Sequence, residues 1–222
     1  MHLTDHDHRL VTDAIADAET RSSAEILAIA TARSDTYLDV VMHWAAVAAL
    51  AIPVLVAALP PDSIDALIRP ILGWHADDIV WRLIMLFVVQ VLAFVAVRYI
   101  ISETPLRYWL TPSSLKSDRV RRRALSTFKV STEARTHGRN GVMIFLSLAE
   151  HRAELVADAA VHGKVAREAW GEVMAALVDA VADGRPGEGL AAAVTAVGDL
   201  LAPHFPPGSA NPNEIPDRLI EV

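Results

Sequence analysis

Two long apolar blocks constrain this chain more than any other feature. Val40 to Leu59 contains no charged residue, and only His43 and Pro53 fall outside the apolar set. Leu83 to Val97 is apolar except for Gln90, with Arg82 and Arg98 at its two ends. A helix needs about 20 residues to cross a hydrocarbon layer of about 30 Å. The first block meets that length unaided. The second covers only about 22 Å between its arginines, so Arg82 and Arg98 must snorkel outward. With both in the headgroup zones, Ile79 to Ile101 is long enough. The sequence therefore predicts two transmembrane helices, at about 40–59 and 79–101, joined by a short loop. The competing reading is a buried helical hairpin inside a soluble protein. Nothing else in the chain offers enough amphipathic helix to wrap two wholly apolar ones. Trp44, Trp81, Tyr99, Tyr108 and Trp109 also sit near the block ends, where interfacial aromatics belong.

The 222 residues are 53% hydrophobic and 21% charged, a composition that excludes a disordered or collagen-like chain. The absence of cysteine removes thiolate nucleophiles, disulfides and iron–sulfur ligands. A net charge of −7 argues against nucleic acid as the main partner. The acidic, patterned segment before residue 40 does not read as a signal peptide. Lys and Arg placement gives an orientation. Between the blocks Arg69 faces Asp62, Asp65, Asp77 and Asp78, whereas Arg98, Arg107, Lys116, Arg119, Arg121, Arg122 and Arg123 follow the second block. The expectation is a multi-pass inner-membrane protein with both termini in the cytoplasm.

The remaining segments read as one α/β unit. Thr4 to Thr20 is an amphipathic helix capped by Thr4, with Leu10, Val11, Ala14, Ile15 and Ala18 as its stripe. Ala24 to Ala30 is apolar on both faces, as a strand covered on both sides reads. Leu106 to Leu110 suits the membrane interface, and a helix runs from Thr111 to about Arg135. Gly141 to Leu148 is a second apolar strand, and Arg152 to Asp158 alternates as a half-exposed third. Lys164 to Ala182 and Glu188 to Ala202 are amphipathic helices, the first carrying Trp170, Val173, Met174, Leu177, Val178 and Val181. Residues 203–222 are rich in proline and read as an extended tail. Segments 1–38 and 104–202 each hold too little core to fold alone. Together they give an α-β-α-β-β-α-α sandwich interrupted by the hairpin at 39–103.

Ser23-Ala24-Glu25-Ile26, Asn140-Gly141-Val142-Met143-Ile144-Phe145, the run Leu148-Ala149-Glu150-His151-Arg152-Ala153-Glu154-Leu155-Val156-Ala157-Asp158, and Trp170 carry a resemblance. The chain resembles the TPM domain family, often labelled "TPM phosphatase", in its bacterial branch with two inserted transmembrane helices. The resemblance covers everything but the tail and is most specific from Gly141 to Asp158. It implies a three-layer α/β/α sandwich with a small mixed sheet. Relatives include a chloroplast thylakoid protein linked to photosystem repair, credited with acid phosphatase activity and calcium binding, and animal membrane proteins that regulate receptors. Many relatives carry a G-x-G-L-E turn after the third strand. Here that turn reads Asp158-Ala159-Ala160-Val161-His162-Gly163, without the glycine freedom that close approach to a phosphate or ion uses.

Glu25, Glu150, Glu154 and Asp158 are the carboxylates on strands or strand ends. They either converge on a hard cation, Ca2+ or Mg2+, or stand as solvated strand-end charges. Asp158 and Glu25 are the candidate metal ligands. His2, His6 and His8 alternate with Asp5 and Asp7, as weak metal ligands or solvated capping residues. His151 and Arg152 mark a hairpin corner that either contacts a phosphate or is simply polar. Lys116, Arg119, Arg122 and Arg123 form a basic run, suited to anionic lipid headgroups at about 1 kcal/mol per charge or to a solvated helix face. Glycine-rich nucleotide loops, G-x-S-x-G elbows and H-E-x-x-H pairs are absent from the sequence. The function expected is a partner-binding or regulatory module bound to the bilayer and to another membrane protein, with a divalent ion. The alternative is a metal-assisted phosphatase acting on a phosphomonoester.

Overall fold

A computed structural model describes residues 2–131, 140–207 and 218–222. The chain divides into two compact units, Met1–Thr36 with Ser113–Val222, and Tyr37–Pro112.

The first unit is mixed α/β. It begins with α1 (Asp5–Arg21), where Thr4 makes a full capping box. The Thr4 N–H donates to Asp7 Oδ2 at 2.8 Å, and the Asp7 N–H returns a bond to Thr4 Oγ1 at 3.2 Å. Strand β1 (Ile26–Thr31) follows, buried along its whole length as its two-faced apolar pattern requires. The inserted unit carries α2 (Leu38–Ala57), α3 (Pro61–Leu72), α4 (Ile79–Glu103) and α5 (Leu106–Leu110). The chain then forms α6 (Ser113–Ser131), β2 (Val142–Ser147), β3 (Arg152–Ala157), α7 (Ala159–His162), α8 (Arg167–Ala182), α9 (Pro186–Leu201) and β4 (Ile220–Glu221). The expected continuation of α6 to Arg135 lies outside the described residues, as does the middle half of the expected tail, 208–217.

The sheet runs β3-β2-β1-β4 and is mixed: β1 is parallel to β2 and β4, and β2 is antiparallel to β3. Alternate residues face opposite ways, so each central strand feeds two cores. Ile26, Ala28, Ile144 and Leu146 pack with α1, α8 and α9 through Ile15, Leu177, Leu190 and Val197. Leu27, Ile29, Met143 and Phe145 pack with Val120, Ala124 and Phe128 of α6.

Three elements depart from the sequence reading. Residues 220–221, within the segment expected to be an extended tail, form a short fourth strand on β1. The His8 ring nitrogen meets Glu221 Oε1 at 2.6 Å, which places one of the amino-terminal histidines against this strand. The third strand shows no alternation in exposure, because all six of its residues are partly covered. It lies at the sheet edge, with Val156 packed in the α6 cluster and Ala153, Leu155 and Ala157 in the other. Finally, the connection between the apolar blocks holds the amphipathic helix α3, where a short loop was expected.

In the second unit, α2 and α4 are long and apolar enough to cross a membrane. Only 17% and 6% of their most apolar windows are buried, so neither is covered by the rest of the described chain. Pro53 lies inside α2 and leaves the Ala49 carbonyl without its i+4 donor. The Gln90 side-chain amide donates to that carbonyl at 3.3 Å. The one polar residue of the second block thus repairs the backbone defect of the first. Tyr37, with φ 54°, is buried and meets the half-buried Tyr108 edge to face at 5.7 Å.

Candidate functional site at the open edge of the sheet

The register fixes where each strand-borne carboxylate lies. Ile26, Val142 and Ala157 are aligned across the sheet, so Glu25 before β1 and Asp158 after β3 share one sheet end. They flank β2 from either side, roughly two strand spacings or about 10 Å apart along the backbone. The Gly141 N–H donates to Asp158 Oδ2 at 3.0 Å and ties that carboxylate to the start of β2. Glu25 is buried. Glu150 lies at the opposite end of the sheet, buried, accepting from the Ser147 hydroxyl and from the Ser34 N–H at 3.0 Å. It fastens the segment after β1 to the β2–β3 hairpin. Glu154 is in the middle of β3. The four carboxylates therefore occupy three separate places. Among the described residues no group of three His, Asp or Glu side chains comes together, and Glu25 and Asp158 are the candidate ligands that share a sheet end.

The basic run is also divided. Arg119 turns inward, 14% exposed, and pairs with Asp35 Oδ2 at 2.7 Å. Arg122 and Arg123 are exposed, Lys116 is half-covered, and Arg121 turns toward β3. The segment after β3 coils into α7, with Asp158 at its N-cap position.

What the sequence did not reveal is a groove of about 790 Å3 along the outer side of β3. Arg121 and Leu125 of α6 form one wall, and Arg167, Trp170 and Met174 of α8 form the other. Strand β3 is its floor, and His162 closes one end. The volume lies in the range that bound ligands fill, about 300–1,000 Å3. The backbone of the floor is open. The Asp158 N–H bonds the Gly141 carbonyl at 2.9 Å, which sets the phase of the antiparallel ladder. Val156, Glu154 and Arg152 then turn their backbone groups to β2, and Ala153, Leu155 and Ala157 turn theirs outward.

Charge in the groove is mixed. Burial pushes the Glu154 carboxyl above the usual glutamate range, and the Arg121 and Arg152 guanidiniums oppose that shift. Arg121, Arg167 and His162 leave the walls more basic than the floor is acidic. The arrangement supplies directional backbone hydrogen bonds, an aromatic wall and cations, which suits recognition of an extended chain.

No family model matches the chain, and no curated protein matches it in sequence. Among solved structures, the NMR structure of the BA42 protein from the psychrophilic bacterium Bizionia argentinensis is similar. The match has a TM-score of 0.57 at 16% identity, over 100% of this chain and 97% of that one. At that identity the likeness is one of fold.

Proposed function

We propose that this chain is a membrane-anchored partner-binding module of the TPM type, built as a three-layer α/β/α sandwich with an inserted transmembrane hairpin. The helix cores on both faces of the sheet support the layered reading, and the exposed apolar lengths of α2 and α4 support the anchor. In this reading the hairpin is multi-pass in an inner membrane, with both termini cytoplasmic.

The observation that carries the function is the open edge of β3 beneath its groove. We take the occupant to be an extended segment of a partner protein that adds as a further strand and places acidic side chains against Arg121 and Arg167. Outward backbone groups at Ala153, Leu155 and Ala157 supply the ladder bonds. The charges of Arg152 and Glu154 keep the same edge from pairing with a second copy of the chain.

The test is site-specific photo-cross-linking in cells, with the cross-linker at Ala153. The expected product is an adduct mapped to an extended acidic segment of one membrane-associated partner. It should disappear in Leu155→Pro, which removes an outward donor without breaking a bond to β2, and in Arg167→Glu. An adduct retained in both variants, or none from this edge, overturns the reading. The phosphatase alternative draws on the family resemblance and on the shared sheet end of Glu25 and Asp158. Hydrolysis of a phosphomonoester with Mg2+ or Ca2+ that is lost in Asp158→Ala would favour it.

A further inference from the structure

The helix between the two apolar spans has two unlike sides. Along α3, Asp62, Asp65 and Arg69 fall on one side, and Ile64, Leu67, Ile68 and Ile71 on the other. The polar side is tied down within the unit. Arg69 pairs with Asp77 at 3.0 Å and lies 3.7 Å from Asp65, and Arg82 pairs with Asp65 at 2.8 Å. The apolar side is bare, with Leu67 63%, Ile71 71% and the following Trp74 88% exposed, while Ile68 is buried.

The chain's path says what covers that side. Only residues 58–60 separate α2 from α3, a reach of about 11 Å, and the 3-10 turn Gly73–Asp77 leads directly into α4. If α2 and α4 cross the bilayer, α3 has no room to leave its surface. We propose that α3 lies in the plane of the membrane where the hairpin turns, with Leu67, Ile71 and Trp74 set into the headgroup–acyl boundary of phospholipid. Trp74 has the amphipathic ring suited to that depth. The pairing of Arg82 with Asp65 draws its guanidinium toward the same layer, which lets the second span begin there. Asp62, Asp65, Asp77 and Asp78 outnumber Arg69 and Arg82, so apolar burial and not attraction to anionic lipid holds the helix. The proposal rests on the membrane reading of α2 and α4, and the experiment separates the two.

Because the chain has no cysteine, single substitutions label it cleanly. Spin labels at Leu67→Cys, Ile71→Cys, Asp62→Cys and Ala66→Cys are read in the full chain in phosphatidylcholine nanodiscs. Val54→Cys and Leu92→Cys, both on exposed faces of the spans, serve as references. The expected result is high oxygen and low nickel-chelate collision at 67 and 71, with the order reversed at 62 and 66. Replacing part of the lipid with phosphatidylglycerol should leave the pattern unchanged. Equal nickel access at all four positions overturns the proposal, as does low access to both reagents at 67 and 71, which marks a protein neighbour there. Water-like collision at 54 and 92 overturns the membrane reading itself.

Discussion

Single residues in the α/β unit behave according to the space around them, and two helical glycines make opposite predictions. A Cβ at Gly198 of α9 would lie 2.7 Å from the Cβ of Ala18 on α1, so these helices approach through their smallest side chains. Gly198→Ala should cost about 1–3 kcal/mol by overpacking. Gly171, on the groove side of α8, has nothing within 4 Å of a new Cβ, and Gly171→Ala should add up to about 1 kcal/mol of helix propensity. Denaturant unfolding of the purified full chain in detergent, followed by near-UV dichroism, reads both signs. Glu154 predicts a pH effect. Its folded-state carboxyl titrates above the usual range because of burial, so the folded state holds the proton more tightly than the unfolded chain does. Stability should fall as pH rises from the ordinary glutamate range through that raised value. Glu154→Gln should abolish this downward slope in thermal melts across the acid range. Asp7 has the opposite sense. Burial works against its charge, but the Thr4 hydrogen bonds, with His6 and His8, hold its carboxyl below the usual range. Its contribution is therefore lost as pH falls below the ordinary aspartate range. The candidate ligands Glu25 and Asp158 were legible as strand-end carboxylates, because they are written immediately beside apolar runs. Their common sheet end was not legible, since it depends on which strands pair and in what register.

At the scale of elements, the sequence revealed what local pattern encodes and missed what pairing creates. Helices α1, α8 and α9 fall within a few residues of their predicted bounds because each carries its own apolar stripe. Strands β1 and β2 were readable from their two-faced apolar runs. Strand β4 was not, because two residues beyond a proline-rich stretch carry no period of their own, and only β1 makes them a strand. The groove was hidden for the same reason, since edge position is a property of the whole sheet. Helix α3 begins with Pro61 in its first turn, where the missing N–H costs no helical hydrogen bond, so the proline pair at 60 and 61 is compatible with a helix start. The α2–α4 pair makes its own prediction. Gln90→Leu leaves the Ala49 carbonyl unserved and should weaken the pair by about 0.6–1.7 kcal/mol in a bilayer. Pro53→Ala restores the backbone donor, so Gln90→Leu should be nearly neutral in that background. A double-mutant cycle by steric trapping measures the coupling, and additive effects would refute the shared role assigned to the proline and the glutamine.

The whole molecule is an α/β unit interrupted in chain order by a second unit. Both core clusters of the first unit are drawn from residues 1–36 and 113–222 alone. The two ends of the interruption are held close by contacts within that unit. Asp35 pairs with Arg119, Ser34 bonds to Glu150, and the Arg152 guanidinium donates to the hydroxyl of Ser113. Arg119 lies six residues into α6, about 9 Å from its start, so a linker of eight residues, reaching about 26 Å, spans the gap easily. Replacing residues 37–112 with eight Gly/Ser residues should therefore give a water-soluble chain with one cooperative unfolding transition. Loss of cooperativity would mean that the first unit needs the hairpin to fold. That outcome bears on how the arginines are read, because they do two jobs. Arg119 is consumed by Asp35 within the fold and Arg121 by the groove, so in the proposed membrane reading Arg98, Arg107, Arg122 and Arg123 are the cations left to bias orientation. Reversing Arg119 in the intact protein should therefore cost stability without turning the hairpin over. A reporter fused after Val222 should read cytoplasmic in the wild type and in Arg119→Glu alike. Reversing Arg98, Arg107, Arg122 and Arg123 together should move a fraction of the molecules to the opposite orientation. A periplasmic signal from the wild-type fusion would place the groove, and any partner it binds, on the other side of the membrane.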